Sequence, residues 1–199
     1  AVPFHMWTPD AYEGAPTPAT TYMAAVVKTG GFAMLLRVLL TCFGDAGSMS
    51  WSSGWPPALA WIAVLTMTVG NVLAVLQSSV KRILAYSSIA HSGYMLVGLI
   101  AGPGPAPTGA SDAESFTRSG LAAILFYLVT YGVMSIGAFA VLAGLERRKA
   151  NGEIEEPDHI DDLRGLCKTV PALGWTMVIS AAGLLGLPPL LGFFGKLPL

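Results

Sequence analysis

The sequence predicts an all-α fold: a polytopic transmembrane helix bundle with discontinuous helices, broken by proline and glycine. Composition and one pattern carry that expectation. Hydrophobic residues make up 53% of the chain and charged residues 12%, against ~25% charged in a typical soluble domain. The mean hydropathy is +0.61. Five apolar segments, at 18–44, 55–78, 82–102, 119–145 and 170–199, are each long enough to cross a hydrocarbon layer ~30 Å thick.

The stretch ahead of the first segment, Pro3-Phe-His-Met-Trp-Thr-Pro-Asp-Ala-Tyr-Glu-Gly-Ala-Pro-Thr-Pro18, carries four prolines and a glycine. It reads as a broken helix or an ordered loop rather than a span. Its carboxylates, Asp10 and Glu13, are expected to cap or anchor the loop. In the first segment Lys28 stands alone in an uncharged run from Pro18 to Arg37. Ten residues of helix from Pro18 place it about 15 Å deep, near the middle of the layer. An ammonium at that depth costs several kcal/mol, and a side chain of ~6 Å is too short to snorkel back to the interface. Such a residue faces a partner or a polar cavity and marks an ion or proton path. Gly30 and Gly31 are expected to loosen helical packing beside it. Arg37 and Asp45 fall near the far interface and read as anchors.

The third segment holds Tyr86-Ser-Ser-Ile-Ala-His-Ser-Gly-Tyr94. Histidine as a residue type can relay protons, and His91 sits among hydroxyls that could order water. A histidine bonded between helices is an equal reading, and His5 is open in the same way. In the fifth segment, Gly183-Leu-Leu-Gly-Leu-Pro-Pro-Leu-Leu-Gly-Phe-Phe-Gly195 precedes Lys196. Pro188 and Pro189 must interrupt the backbone ladder there. Breaks at membrane depth are tolerated where the freed carbonyls line a cavity or contact ions, so Lys196 is the second candidate; a proline kink with a terminal lysine is the plainer alternative.

Loop charges give an orientation. The 45–54 and 102–117 loops contain neither Lys nor Arg, whereas the intervening turn has Lys81 and Arg82, and the 146–168 loop has Arg147, Arg148, Lys149, Arg164 and Lys168. The positive-inside rule makes the 81–82 turn and the 146–168 loop cytoplasmic, and alternation puts residues 1–17 on the same side.

Other function classes find little support. A net charge of −1 argues against nucleic-acid binding. Cys42 and Cys167 are far apart, without metal-ligand spacing. The acidic run from Glu153 to Asp162 reads as a solvated loop, a metal site around His159 being the weaker alternative. No GxGxxG, P-loop or nucleophile-elbow pattern is present, so no nucleotide or flavin site is expected.

Three motifs also resemble a known family: Pro3 to Pro18, Ser79-Val-Lys-Arg-Ile-Leu-Ala-Tyr-Ser-Ser-Ile-Ala-His-Ser-Gly-Tyr94, and Gly186-Leu-Pro-Pro-Leu-Leu-Gly-Phe-Phe-Gly-Lys196. They resemble the antiporter-like membrane subunits of bacterial NADH–quinone oxidoreductase (complex I), the N subunits most of all. The resemblance implies inverted helical repeats, each with a broken helix, in the bacterial inner membrane. It matches Lys28 to the central lysine of the helix after the first break, Lys196 to the lysine of the second broken helix, and His5 and Tyr86 to polar residues on the same axis. The implied function is proton relay, coupled to redox chemistry whose NADH, FMN, iron–sulfur clusters and quinone are bound by other subunits; no cofactor or metal is expected in this chain. Its implied partners are the other membrane subunits of complex I and the bilayer. A glutamate and a partner lysine that the family places earlier would precede Ala1, and Leu-Pro-Leu199 departs from the family's aromatic continuation. Residues 1–199 are therefore expected to be part of one proton-translocating domain, about five spans truncated at both ends. A sodium/proton antiporter subunit and a structural scaffold are the alternatives.

Overall fold

The computed structural model describes residues 1–45, 47–102, 120–148, 154–155 and 158–197. Four helices in it are long and apolar enough to cross a membrane: α2 (Thr17–Cys42), α3 (Pro56–Val75), α4 (Val80–Ala101) and α5 (Gly120–Leu145). A short helix, α1 (Trp7–Gly14), precedes them. After α5 come α6 (Leu166–Thr169), α7 (Pro171–Leu185) and α8 (Leu191–Lys196). The architecture is an all-α bundle, with a two-residue antiparallel pairing of Arg147–Arg148 with Ile154–Glu155 beyond the end of α5. The 103–119 stretch, including most of the loop without Lys or Arg and Arg118 itself, lies outside the described residues, as does Lys149.

Local sequence explains both breaks. Ala15 precedes a proline and is held extended (φ −88°, ψ 148°); α2 then restarts with Pro18 in its first turn, where no intrahelical N–H bond is lost. At the other break α7 ends on Gly186 with φ 82°, a left-handed residue that closes the helix. Pro188 and Pro189 follow and cannot donate to the ladder. The fifth segment is thus two short helices, of 15 and 6 residues, rather than one continuous span.

The first segment is irregular in an unexpected place. Gly30 and Gly31 stay helical, and the widening falls one turn earlier, as a π-helical stretch at Met23–Val27 ending directly before Lys28. Such widenings are frequent at functional sites.

α4 and α5 are the inner helices, each buried along about half its length, while α2 and α3 are more exposed. α3 lies along α4 at close range. A Cβ at Gly70 would stand 2.8 Å from the Ala90 nitrogen, and one at Gly93 2.5 Å from Met67 Cγ, the small-residue contact that lets membrane helices approach. The core between α2, α3, α4 and α5 includes Phe32, Ala63, Met95, Leu99, Ile124, Tyr127 and Tyr131. A second cluster, with Tyr12, Ala24, Val80, Ala85, Phe139 and Leu142, lies toward the start of α4. Trp61, Val72 and Val129 face outward and are exposed.

The segments that carry the loop charges meet at one end. Arg82 Nη1 reaches Glu13 Oε2 at 2.5 Å and Asp10 Oδ1 at 3.0 Å. Val80 N donates to Asp158 O at 2.7 Å, and Ser79 Oγ to Asp158 Oδ1 at 2.6 Å. The end of α1, the start of α4 and the loop after α5 therefore share one side of the bundle. The expectation that residues 1–17 all lie on that side needs correcting. Val2 N donates to Thr66 Oγ1, midway along α3, at 3.0 Å, so the chain starts at the depth of the bundle interior and α1 runs from there to the charged end.

Candidate functional site

Lys28 emerges from the π-helical stretch of α2 and points to α4. Its Nζ donates to Ser88 O at 2.7 Å and to Ser88 Oγ at 2.5 Å, and stands 4.1 Å from the centroid of the Tyr131 ring on α5. The ammonium is held by a carbonyl, a hydroxyl and an aromatic face, all neutral groups.

A continuous series of contacts leads onward from there. The Tyr131 ring is 5.1 Å from the His91 ring, centroid to centroid. His91 Nδ1 is 2.5 Å from the Tyr127 hydroxyl, and its ring also lies 5.7 Å from that of Tyr94. The far face of the series is Lys196, whose Nζ is 5.1 Å from the Tyr94 ring centroid. Ser88, His91, Tyr127 and Tyr131 are all buried.

Lys196 occupies the break between α7 and α8. Its Nζ donates to Leu184 O at 2.8 Å and Leu185 O at 3.1 Å. These belong to the last turn of α7, whose carbonyls lack intrahelical partners and whose end carries the negative pole of the helix. The proline break frees the carbonyls and the lysine at the end of the next helix returns to bind them.

Each lysine borders a cavity. One of about 420 Å³ is lined by Ala1, Tyr12, Lys28, Ser88 and Ser92 among apolar residues. The other, about 460 Å³, is lined by Asn71, Ser87, His91, Tyr94 and Lys196, and extends to Ile160 and Leu163 at the charged end. Both exceed the ~30 Å³ share of one liquid water many times.

Among the described residues neither Lys28 nor Lys196 has a carboxylate partner, whereas Arg82 pairs with Asp10 and Glu13 and Arg164 with Asp161. No group of three or more His, Cys, Asp or Glu side chains suited to a metal occurs among those residues either. Cys42 and Cys167 are exposed thiols. Asp45, in the loop after α2, accepts from Ser48 N at 3.0 Å; hydrogen bonds from Ser48 hold its carboxyl below the usual carboxylate range.

Of the residues singled out in the sequence, Lys28, His91 and Lys196 are brought together in this row. His5 and Tyr86 are not. His5 lies in the segment before α1, with Nδ1 buried and unpartnered among the described residues. Tyr86 lies one turn along α4 from Arg82, its carbonyl beside Gly70. Asp10 and Glu13 anchor Arg82 rather than reach the row. The row also contains Tyr127 and Tyr131, which sequence reasoning passed over as part of an apolar span. A signal was there: Tyr127, Tyr131 and Ser135 recur at intervals of four, one polar stripe on an otherwise apolar helix.

The full chain, residues 1–199, matches the family described as NADH:quinone oxidoreductase/Mrp antiporter, transmembrane. The chain belongs to that family. It is 51% identical over 197 residues to the NADH-quinone oxidoreductase subunit N 1 of Sorangium cellulosum (strain So ce56), covering 99% of this chain and 36% of the relative. It is 47% identical over 194 residues to subunit N of Bdellovibrio bacteriovorus, covering 98% and 36%. Among solved structures it resembles a chain of respiratory complex I from Thermus thermophilus with bound aureothin, at TM-score 0.73 and 38% identity, over 98% of this chain and 36% of that one. A chain of the membrane-bound sulfane sulfur reductase, an archaeal respiratory membrane complex, superimposes at TM-score 0.79 and 26% identity, covering 99% and 36%. The chain thus spans about a third of the length of these relatives. Membership of this antiporter-like family, together with four helices of spanning length, makes it a multi-pass membrane protein of the inner-membrane type.

Proposed function

We propose that this chain is part of one proton-translocating domain in a membrane subunit of NADH–quinone oxidoreductase, and that Lys28 and Lys196 are stations of its proton relay. The observation that carries the proposal is the uninterrupted row Lys28–Ser88/Tyr131–His91–Tyr94/Tyr127–Lys196, with a cavity at each lysine. Both ammonium groups are held by neutral dipoles, which favour the charged form without locking it against a carboxylate. The proton can therefore leave, and the adjoining cavity has room for water to bind the carbonyls or hydroxyl left behind. Charge on one lysine raises the cost of charge on the next in a low-dielectric interior, so a change at one end is felt along the row. His91 lies between the two and can take up and return a proton. NADH, FMN, iron–sulfur clusters and quinone belong, on this reading, to other subunits of the complex, and the partners of this chain are the neighbouring membrane subunits and lipid.

The test is Lys28→Ala in the full-length subunit within the intact complex. NADH-driven proton pumping should collapse at normal assembly levels; undiminished pumping and quinone reduction would contradict the relay. A second reading, sodium/proton antiport by the same fold, is favoured by the Mrp antiporters within the family description. Sodium flux obligatorily exchanged for an opposite proton flux in reconstituted complex, and running without NADH oxidation, would select it. The scaffold reading would require Lys28→Ala to change assembly and nothing else.

A further inference from the structure

His91 and Lys196 do not touch, yet one side chain contacts both of their surroundings. The Tyr127 hydroxyl lies 2.5 Å from His91 Nδ1. Its ring lies under α8: a Cβ at Gly195 would stand 2.8 Å from Tyr127 Cδ2 and 3.0 Å from Thr130 Oγ1. Gly195 immediately precedes Lys196, and Tyr127 is fully buried. We propose that Tyr127 is a positioning residue for the relay, tying His91 to the helix end that carries Lys196. This rests on the relay reading above.

The chemistry follows from which nitrogen is held. Nδ1–H is assigned as donor to the Tyr127 oxygen, the arrangement that survives protonation of the ring, so Nδ1 keeps its proton. Nε2 then carries the lone pair: it takes up one proton, forming imidazolium, and gives up one proton from the same nitrogen, with no net change in the ring. A histidine free to rotate or change tautomer would offer its lone pair in more than one direction and lose that order. The ring of Tyr127, through the absent side chain of Gly195, sets how far α8 lies from α5. One residue therefore fixes both the acceptor direction of His91 and the position of the next lysine.

Tyr127→Phe in the intact complex removes the oxygen and keeps the ring that seats Gly195. Pumping per assembled complex should fall several-fold, and in histidine-labelled complex the NADH-induced infrared difference spectrum should show a shifted imidazole band. Lys28→Ala is measured alongside. If Lys28→Ala abolishes pumping while Tyr127→Phe leaves pumping and the imidazole band as in the unaltered complex, this inference is wrong and the relay stands. If Lys28→Ala has no effect, the relay itself fails. A second measurement covers a Tyr127→Phe complex that does not assemble. With labelled tyrosine in the unaltered protein, the difference spectrum should contain a tyrosine band that His91→Asn removes, and its absence would overturn the assignment.

Discussion

Two places in this bundle hold cations, and Arg82 is held differently from Lys28 and Lys196. At the charged end, Arg82 is clamped by Glu13 and Asp10, and buried Lys81 donates to Ala15 O at 3.2 Å beside it. In the interior, Lys28 and Lys196 are held by carbonyls, a hydroxyl and aromatic faces. A carboxylate partner fixes a charge, because removing the proton or the cation leaves an uncompensated anion. Neutral partners leave nothing stranded. The difference separates a latch that joins α1 to α4 from a row in which charge can move.

The contrast can be broken most sharply at Lys196. Lys196→Ala should cut proton pumping per assembled complex by about tenfold or more, equivalent to ~1.4 kcal/mol at the limiting step, as read by dye quenching in proteoliposomes. A loss that merely tracks reduced assembly would place Lys196 with the latch. Arg82→Ala should do the reverse. It leaves Glu13 of α1 without its partner, and should lower the stability of the complex by no more than about 1 kcal/mol while pumping per assembled complex is retained.

Ser88→Ala is expected to be milder than Lys196→Ala, since Ser88 O still accepts from Lys28. Losing the hydroxyl should cost about 0.5–1.5 kcal/mol and slow pumping a few-fold, with the slowing absent in a Lys28→Ala background. The smallest effect should come from Asp10→Ala. The Asp10 side chain is 71% exposed, and an exposed pair is worth about 0–1 kcal/mol, so a thermal melt should barely move and pumping should be unchanged.

Much of this arrangement was legible in the sequence because its signals are strong and local. A lysine ten residues into an apolar run has few uses, and a double proline within a span must break it, so Lys28, Lys196 and the second broken helix were accessible from spacing alone. The charge asymmetry of the loops agrees with the meeting of Glu13, Arg82 and Asp158 at one end. What could not be read depends on how helices face each other. Tyr86 and His91 lie five residues apart on α4, and only the packing of α5 decides that His91 joins the row. Tyr127 and Tyr131 look like core aromatics until α2 and α4 are brought against them. The π-helical widening at Met23–Val27 has no side-chain signature, whereas Gly30–Gly31, the composition-based candidate, packs as ordinary helix.

The distinction between latch and row reduces to one paired measurement: NADH-driven proton pumping, normalised to assembled complex, for Lys28→Ala and Arg82→Ala in parallel. Pumping should collapse in the first and be retained in the second. Equal behaviour of the two, each falling only in proportion to assembly, would contradict the distinction.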